Sequence, residues 1–289
     1  MFQLIKFGDR MQVLITGHKG FISSKLIQAF YQDGVKVQPL ILDYEKNQYY
    51  CEDFIKKNPT LIFHLGADSD RSARFDQIYA KNYLALIALK KFCFDLDLCH
   101  IVFTSAASCT PSPSKNIITG NPYHANIPND AYSISKLFGE SFIRTNIKSS
   151  TIIRVPSVYG RGYGRGIISR LHNAAISNQL IEIKNPDCLI NSVIFIDDLI
   201  NFFKIFYKDS LNNQEIYKKN KFFYLGSSDS LSIINIAQLL IKITMSKSSI
   251  KIYPNIIDDN KNYLLDIEAA ISFGLKNYSI RDVILRFLY

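Results

Sequence analysis

Two hydrophobic periods alternate along the first hundred residues. Short apolar, largely β-branched runs at 13–16, 35–37, 40–43, 61–65 and 101–103 carry no helical repeat and read as strands. Between them, 22–30, 49–57 and 79–94 place apolar residues three and four apart, the stripe of a helix with one buried face. Further on, 131–146 reads as a helix and 150–155 as a strand. Residues 167–178, 233–244 and 266–289 read as helices, and 222–225 as a strand. At 193–199 an apolar strand runs into a helix opened by Asp197 and Asp198. Residues 110–129, rich in Pro, Ser and Asn, read as a loop. Strands alternating with helices predict right-handed crossovers and a parallel sheet with ligands at its carboxyl edge. The expectation is an α/β fold, a Rossmann-type doubly wound parallel sheet with a smaller C-terminal substrate-binding lobe. Residues 11–160 would form the dinucleotide-binding domain, with segments near 190–225 returning to it, and 161–289 mainly the lobe. Residues 1–10 precede a second methionine, Met11, and read as an N-terminal extension.

The first strand ends in Thr16-Gly17-His18-Lys19-Gly20-Phe21-Ile22-Ser23. A strand entering a glycine turn that opens a helix is the context for a phosphate cradle. Gly17 supplies the turn, Gly20 a close backbone approach, and the helix N-terminus its free N–H groups. The second chemical signal is Tyr132-Ser133-Ile134-Ser135-Lys136. At i and i+4 on a helix the phenol and the ammonium share a face, and the nearby cation favours the phenolate needed for proton transfer.

Composition changes this picture little. With 47% hydrophobic and 20% charged residues the chain is an ordinary globular protein, and its most apolar stretches are interrupted by Lys90-Lys91 and Asp197-Asp198. No membrane partner is expected. Five scattered cysteines without a C-x-x-C pair point to reduced thiols, a cytoplasmic location and no metal site. The net charge of +9 suits an anionic cofactor and substrate. The cations form no stripe interleaved with aromatics, so nucleic acid is not an expected partner.

Seven landmarks in order give the chain its resemblance to the extended short-chain dehydrogenase/reductase family of nucleotide-sugar epimerases, dehydratases and reductases. They are Thr16-Gly17-x-x-Gly20-Phe21-Ile22, His64-Leu65-Gly66-Ala67, Asn82, Thr104-Ser105-Ala106-Ala107, Tyr132-x-x-x-Lys136, the stretch from Arg154 to Gly160, and Phe195-Ile196-Asp197-Asp198-Leu199; the segment 266–288 closes the match. The resemblance implies NAD or NADP held by Gly17, Gly20, Phe21, Ile22, Leu65, Gly66, Ala67, Asn82, Tyr132 and Lys136. Asp43 is the candidate for the adenosine ribose. It further implies Tyr132 as acid/base, Lys136 on the nicotinamide ribose, and Ser105 on the reacting oxygen, with Thr104 as the register alternative. The implied reaction is epimerisation at C4 of a nucleotide sugar, with hydride passing to nicotinamide and back through a transient keto intermediate. An NADPH-dependent keto-sugar reductase and a non-catalytic dinucleotide-sensing protein are the alternatives, and a homodimer is implied.

Departures from the family pattern also inform the reading. Ser23 stands for the third glycine, and Ala85-Leu86 for a common Gly-Thr pair. Ala106-Ala107 leave no acid/base pair beside the serine, which argues against a dehydratase, and Ser108-Cys109-Thr110 replace Val-Tyr-Gly. Asn191 replaces an arginine that grips the nucleotide diphosphate, leaving Arg161, Arg165 or Arg170 to compensate. His64 is expected to fill a strand end, His124 and His172 to lie on the surface, and Cys109 to be a packed thiol.

Overall fold

The structure is a computed structural model that describes residues 11–70, 72–94, 96–110, 130–253 and 264–288. The expected N-terminal extension lies outside these residues, as do nearly all of the expected 110–129 loop and His124 within it.

In chain order the first half runs β1 (Gln12–Thr16), α1 (Phe21–Gln32), β2 (Val37–Pro39), β3 (Ile41–Asp43), β4 (Gln48–Tyr50) and β5 (Thr60–His64). A helix follows in two parts, α2 (Phe75–Tyr79) and α3 (Ala85–Phe94), joined by a π turn over Ala80–Leu84. Then come β6 (Cys99–Ala106), α4 (Ala131–Asn146) and β7 (Ser150–Val155). The second half continues through β8 (Ser157–Tyr159), α5 (Ile167–Ile176), β9 (Ile181–Lys184), β10 (Leu189–Ile190), β11 (Val193–Phe195) and α6 (Ile196–Asn212). It ends with β12 (Lys221–Tyr224), β13 (Leu231–Ser232), α7 (Ile233–Ile243), β14 (Ile250–Tyr253), α8 (Glu268–Phe273) and α9 (Ile280–Leu285).

Six strands form the central sheet in the order β12-β7-β6-β5-β1-β2, with β1 parallel to β2 and β5, and β5 parallel to β6. Alternation along the strands explains why both faces are covered. Leu14, Ile62, Ile101, Phe103 and Ile152 point into one core with Leu86, Leu89 and Phe92 of α3 and Ile143 of α4. On the opposite face Phe63 meets Phe30 of α1, with ring centroids 5.8 Å apart, and Phe203 of α6 at 5.5 Å. The result is a Rossmann-like doubly wound α/β sheet, as the alternation predicted.

The chain divides into two compact units. The first comprises 1–110, 125–154 and 200–223 and holds the sheet; the second comprises 111–124, 155–199 and 224–289. The second is built on small sheets, β8 with β11, β9 with β14 and β10 with β13. Their apolar faces are covered by α5, α7 and α9 through Ile168, Leu171, Ile236, Leu240, Val283 and Ile284, all buried. Ser279 and Asp282 start α9 with a reciprocal capping box. Among the described residues no helix is long and apolar enough to cross a membrane.

Two expectations fail locally. The helix expected over 49–57 is instead the second strand of a β3–β4 hairpin followed by turns. The helix expected over 266–289 breaks at Gly274, whose φ of 119° ends α8.

Candidate active site

At the carboxyl edge of β1 the chain turns on glycine. Gly17 has φ +65°, and a Cβ there would lie 2.4 Å from the Cα of Gly66, so the turn after β1 and the exit of β5 touch main chain to main chain. Gly20 donates to the carbonyl of Gly17 at 2.8 Å and is the N-cap of α1. No side chain caps that helix, and its first turn carries no acidic residue. Its terminal N–H groups and dipole are therefore placed for an anion, and the cradle fits a dinucleotide diphosphate. Ser23 fills the third-glycine position without crowding: it is buried, and its Oγ reaches the carbonyl of Thr16 at 3.5 Å. Phe21, Ile22 and Leu65 are half-buried around this turn, and Ala67 is exposed.

On the adenosine side, Asp43 is the expected acid. Pro39 is the last residue of β2 to pair with β1, opposite Ile15, and Ile41–Asp43 belong to the separate β3–β4 hairpin. There Asp43 Oδ1 accepts from the amides of Glu45 and Lys46 at 3.1 and 3.0 Å, pinning the hairpin turn. Asn82, in the π turn, clamps the loop leaving β5. Its Oδ1 accepts from the Asp68 amide at 2.7 Å, and its Nδ2 donates to the Asp68 carbonyl and to Ser135 Oγ, each at 2.9 Å. Three hydrogen bonds thus tie Asn82 to the loop leaving β5 and to α4.

Tyr132 and Lys136 occupy successive turns of α4, whose start is fixed by Asp130 accepting from the Ser133 amide at 2.9 Å. Lys136 is buried, and its Nζ donates to the carbonyl of Thr104 at 2.7 Å and sits 4.9 Å from the centre of the Phe103 ring. Burial pushes this ammonium down to about 8, against the opposing pull of Cys109 and Glu140. The lysine thus holds a fixed place at the end of β6, one helical turn from the phenol. The tyrosine itself is half-buried.

Ser105, implied on the reacting oxygen, is engaged by a neighbouring carboxylate. Its Oγ donates to Glu140 Oε1 at 2.5 Å, and Glu140 is gripped by Arg154 through Nε at 2.8 Å and Nη2 at 2.9 Å. Both charged side chains are buried, with relative exposures of 0% for Arg154 and 1% for Glu140. The strand meets α4 here eight residues past Tyr132, a rise of roughly 12 Å along the helix. In this structure Ser105 gives its proton to the internal ion pair. Thr104, the register alternative, gives its own proton to the carbonyl of His64 at 3.0 Å. Cys109 is buried, its thiol pushed up to about 11 by burial, and it donates to the carbonyl of Ser133. It is a packed thiol. Glu140 was the residue missed: it continues the Tyr132, Lys136 spacing by four more positions on the same helix face, and that period was the available signal.

The second unit contains a cavity of about 220 Å³ lined by Tyr159, Gly160, Gly162, Tyr163, Gly164, Ser169, His172, Asn173 and Phe287. His172 is not on the surface as expected. It is 2% exposed because α5 turns it inward, where its Nδ1 meets the Tyr159 hydroxyl at 2.7 Å and its ring meets Phe287 edge-on. Ser169 Oγ is buried in the cavity wall with no hydrogen-bond partner among the described residues. Arg161 donates to the carbonyl of Phe287 at 3.2 Å. Arg161 and Arg165 are exposed on the glycine-rich loop that rims the cavity. Asp198 pairs with Arg286 in the first turn of α6. Among the described residues, no three His, Cys, Asp or Glu side chains gather as a metal site.

An uncapped glycine turn on a doubly wound sheet, with a tyrosine–lysine helix beside it, defines a dinucleotide-dependent α/β enzyme. Solved structures agree on the fold. A UDP-glucose 4-epimerase from Thermotoga maritima, determined with UDP-glucose, superposes with a TM-score of 0.74 at 16% identity, covering 96% of this chain and 98% of that one. The UDP-glucose 4-epimerase of Thermus thermophilus, complexed with NAD, gives 0.70 at 15% identity, over 96% and 99%. The Bordetella bronchiseptica enzyme WbmG, complexed with NAD and UDP, gives 0.74 at 15% identity, over 96% and 93%. No curated protein matches the sequence. The NAD dependent epimerase/dehydratase family matches residues 13–218, and the chain belongs to it.

Proposed function

We propose that the protein is an NAD(P)-dependent epimerase that inverts C4 of a nucleotide sugar, with Tyr132 as acid/base. The observation that carries this reading is Lys136, buried and anchored on the Thr104 carbonyl one turn from Tyr132, in the same unit as the uncapped glycine turn. Gly17, Gly20 and the first turn of α1 would hold the diphosphate, and Lys136 the nicotinamide ribose. When bound, the dinucleotide supplies reversible two-electron acceptance at the sugar carbon. Tyr132 takes the proton of the sugar hydroxyl and returns it. The neighbouring ammonium stabilises the phenolate in between, and burial strengthens that attraction. The substrate class in this reading is a UDP-sugar, by analogy with the Thermotoga maritima UDP-glucose 4-epimerase determined with UDP-glucose. Arg161 and Arg165 on the loop beside the cavity are the cations for its diphosphate in place of the arginine absent at Asn191.

One observation favours the NADPH-dependent keto-sugar reductase as the second reading. Asp43, the acid read for the adenosine ribose, is already engaged by the amides of Glu45 and Lys46, which leaves it less free to select against a 2′-phosphate. The test is to purify the protein, identify the bound nucleotide by mass spectrometry, and follow UDP-sugars for C4 inversion. Inversion without added cofactor supports the epimerase, and strict dependence on NADPH supports the reductase. Tyr132→Phe is expected to abolish turnover while leaving cofactor binding intact, and retained turnover would remove Tyr132 from the mechanism.

We further propose a homodimer formed through the aromatic stripe of the α2–α3 helix and α4. Phe75 and Phe138 are 44% and 45% exposed there.

A further inference from the structure

His64 is a buried histidine that the proposed reaction does not use. It closes β5 at 2% exposure, stacked on Phe103 with ring centroids 5.6 Å apart. Its Nδ1 lies 3.0 Å from Thr16 Oγ1, the last side chain of β1 before the glycine turn. The same hydroxyl accepts from the Gly66 amide at 3.2 Å. A hydroxyl has one proton and two lone pairs, so it can accept from Gly66 and donate to a neutral imidazole at once. On its other side His64 offers its carbonyl to Thr104 Oγ1 at 3.0 Å, and the carbonyl of Thr104 holds Lys136 Nζ at 2.7 Å. A continuous run of polar contacts therefore joins the backbone cradle to the lysine.

We propose that His64 is a positioning residue: its imidazole, through Thr16, fixes the Gly17–Gly66 backbone contact that shapes the dinucleotide cradle. The Gly17–Gly66 contact is main chain on main chain, and the Gly66 amide is fixed by Thr16 Oγ1, which is in turn held by the imidazole. The imidazole suits the task because it stays uncharged. Burial, helped by the nearby Lys136 ammonium, pushes it down to about 3. The proposal rests on the reading of the glycine turn as a dinucleotide site.

Two pairs of variants test it. His64→Phe keeps a ring to stack on Phe103 and removes Nδ1, whereas His64→Asn loses the ring and keeps an acceptor near the Nδ1 position. Affinity of cofactor-stripped protein for NAD and NADP is measured by calorimetry, with thermal unfolding recorded in parallel. If His64 positions the cradle, the Phe variant binds dinucleotide about tenfold more weakly and the Asn variant stays within about twofold of wild type. A residue that only packs gives the opposite order, and that result overturns the proposal. Thr16→Val and Thr16→Ser repeat the contrast if a histidine variant does not fold: Val is expected to weaken binding and Ser to restore it, and equal affinities overturn the proposal. Wild-type protein that binds neither dinucleotide overturns the cofactor reading and the proposal together. Wild-type binding with an unaffected His64→Phe variant overturns the proposal alone.

Discussion

The densest chemistry at the level of single residues is internal. Arg154 and Glu140 are both out of water and paired with each other, with Arg144 reaching the same carboxylate at 3.4 Å. Glu140→Ala would strand the guanidinium and is expected to cost about 3–5 kcal/mol in urea unfolding, whereas the double change Glu140→Leu with Arg154→Met should recover most of it. Ser105→Ala, which leaves one carboxylate oxygen a donor short, should cost about 1–2 kcal/mol. A stability loss with turnover retained would mark Ser105 as part of this packing. A second residue-level prediction concerns pH. His64 and His100 are both held neutral by burial, each at about 3 against 6.5 for a free imidazole. Below 6.5 the unfolded chain binds protons that the folded one refuses, so stability is full above 6.5 and falls as pH drops toward 3. The slope is on the order of 1 kcal/mol per pH unit for each histidine. Urea midpoints at pH 7.5, 6 and 5 should decline in step, and a flat profile over that range would contradict the neutral assignment.

Among the elements, the seating of α4 on β6 decides where the tyrosine–lysine pair stands. Gly139 allows it: a Cβ there would come 2.6 Å from the Phe103 ring. Gly139→Ala should therefore push helix and strand apart, costing about 1–3 kcal/mol and lowering turnover more than dinucleotide affinity, since the glycine turn lies on other elements. Calorimetry and steady-state rates on the same variant check the split. These elements were legible in the sequence because their patterns were unambiguous. The helix 131–146 and the strand 150–155 fall as read, and at 193–199 the passage from strand to helix is reproduced by β11 and α6. The region after β2 was not legible. Tyr49, Tyr50 and Phe54 mimic a helical stripe, yet the turn beneath them is set by Asp43 accepting two amides and by Asn47 at φ 50°, neither of which a hydrophobic period reports. The glycine turn and the Tyr132–Lys136 spacing could be read directly, being local. The destination of Ser105 could not, because it depends on a contact with Glu140, 35 positions away.

For the whole molecule the open question is what covers the aromatic stripe. Phe75 stacks on Tyr79 at 5.9 Å, Tyr79 on Tyr83 at 5.0 Å, and Tyr83 meets Phe142 edge-on at 5.5 Å, while Phe138 closes on Phe75 at 6.5 Å. Rings ordered against one another but still in water gain little from their mutual contact. Burial against a second copy would add the hydrophobic contribution. In a two-fold dimer the same patch meets itself, so any substitution in it is felt twice. Phe138→Glu would remove about 2 kcal/mol at each of the two positions, about 4 kcal/mol together, which weakens association by roughly a thousandfold. Sedimentation equilibrium at micromolar concentration should show twice the chain mass for the wild type and a single chain for the variant. Circular dichroism should be unchanged, because Phe138 leaves the core of α4 untouched. A wild type that sediments as one chain at tens of micromolar would remove the dimer. A dimeric Phe138→Glu variant would instead move the interface to another face. The stripe lies on the two helices that carry Asn82 and Tyr132, so a dimer formed there would also brace the helix that holds the proposed acid/base. Dilution of the wild type below its dissociation constant should then lower specific activity in step with the loss of dimer.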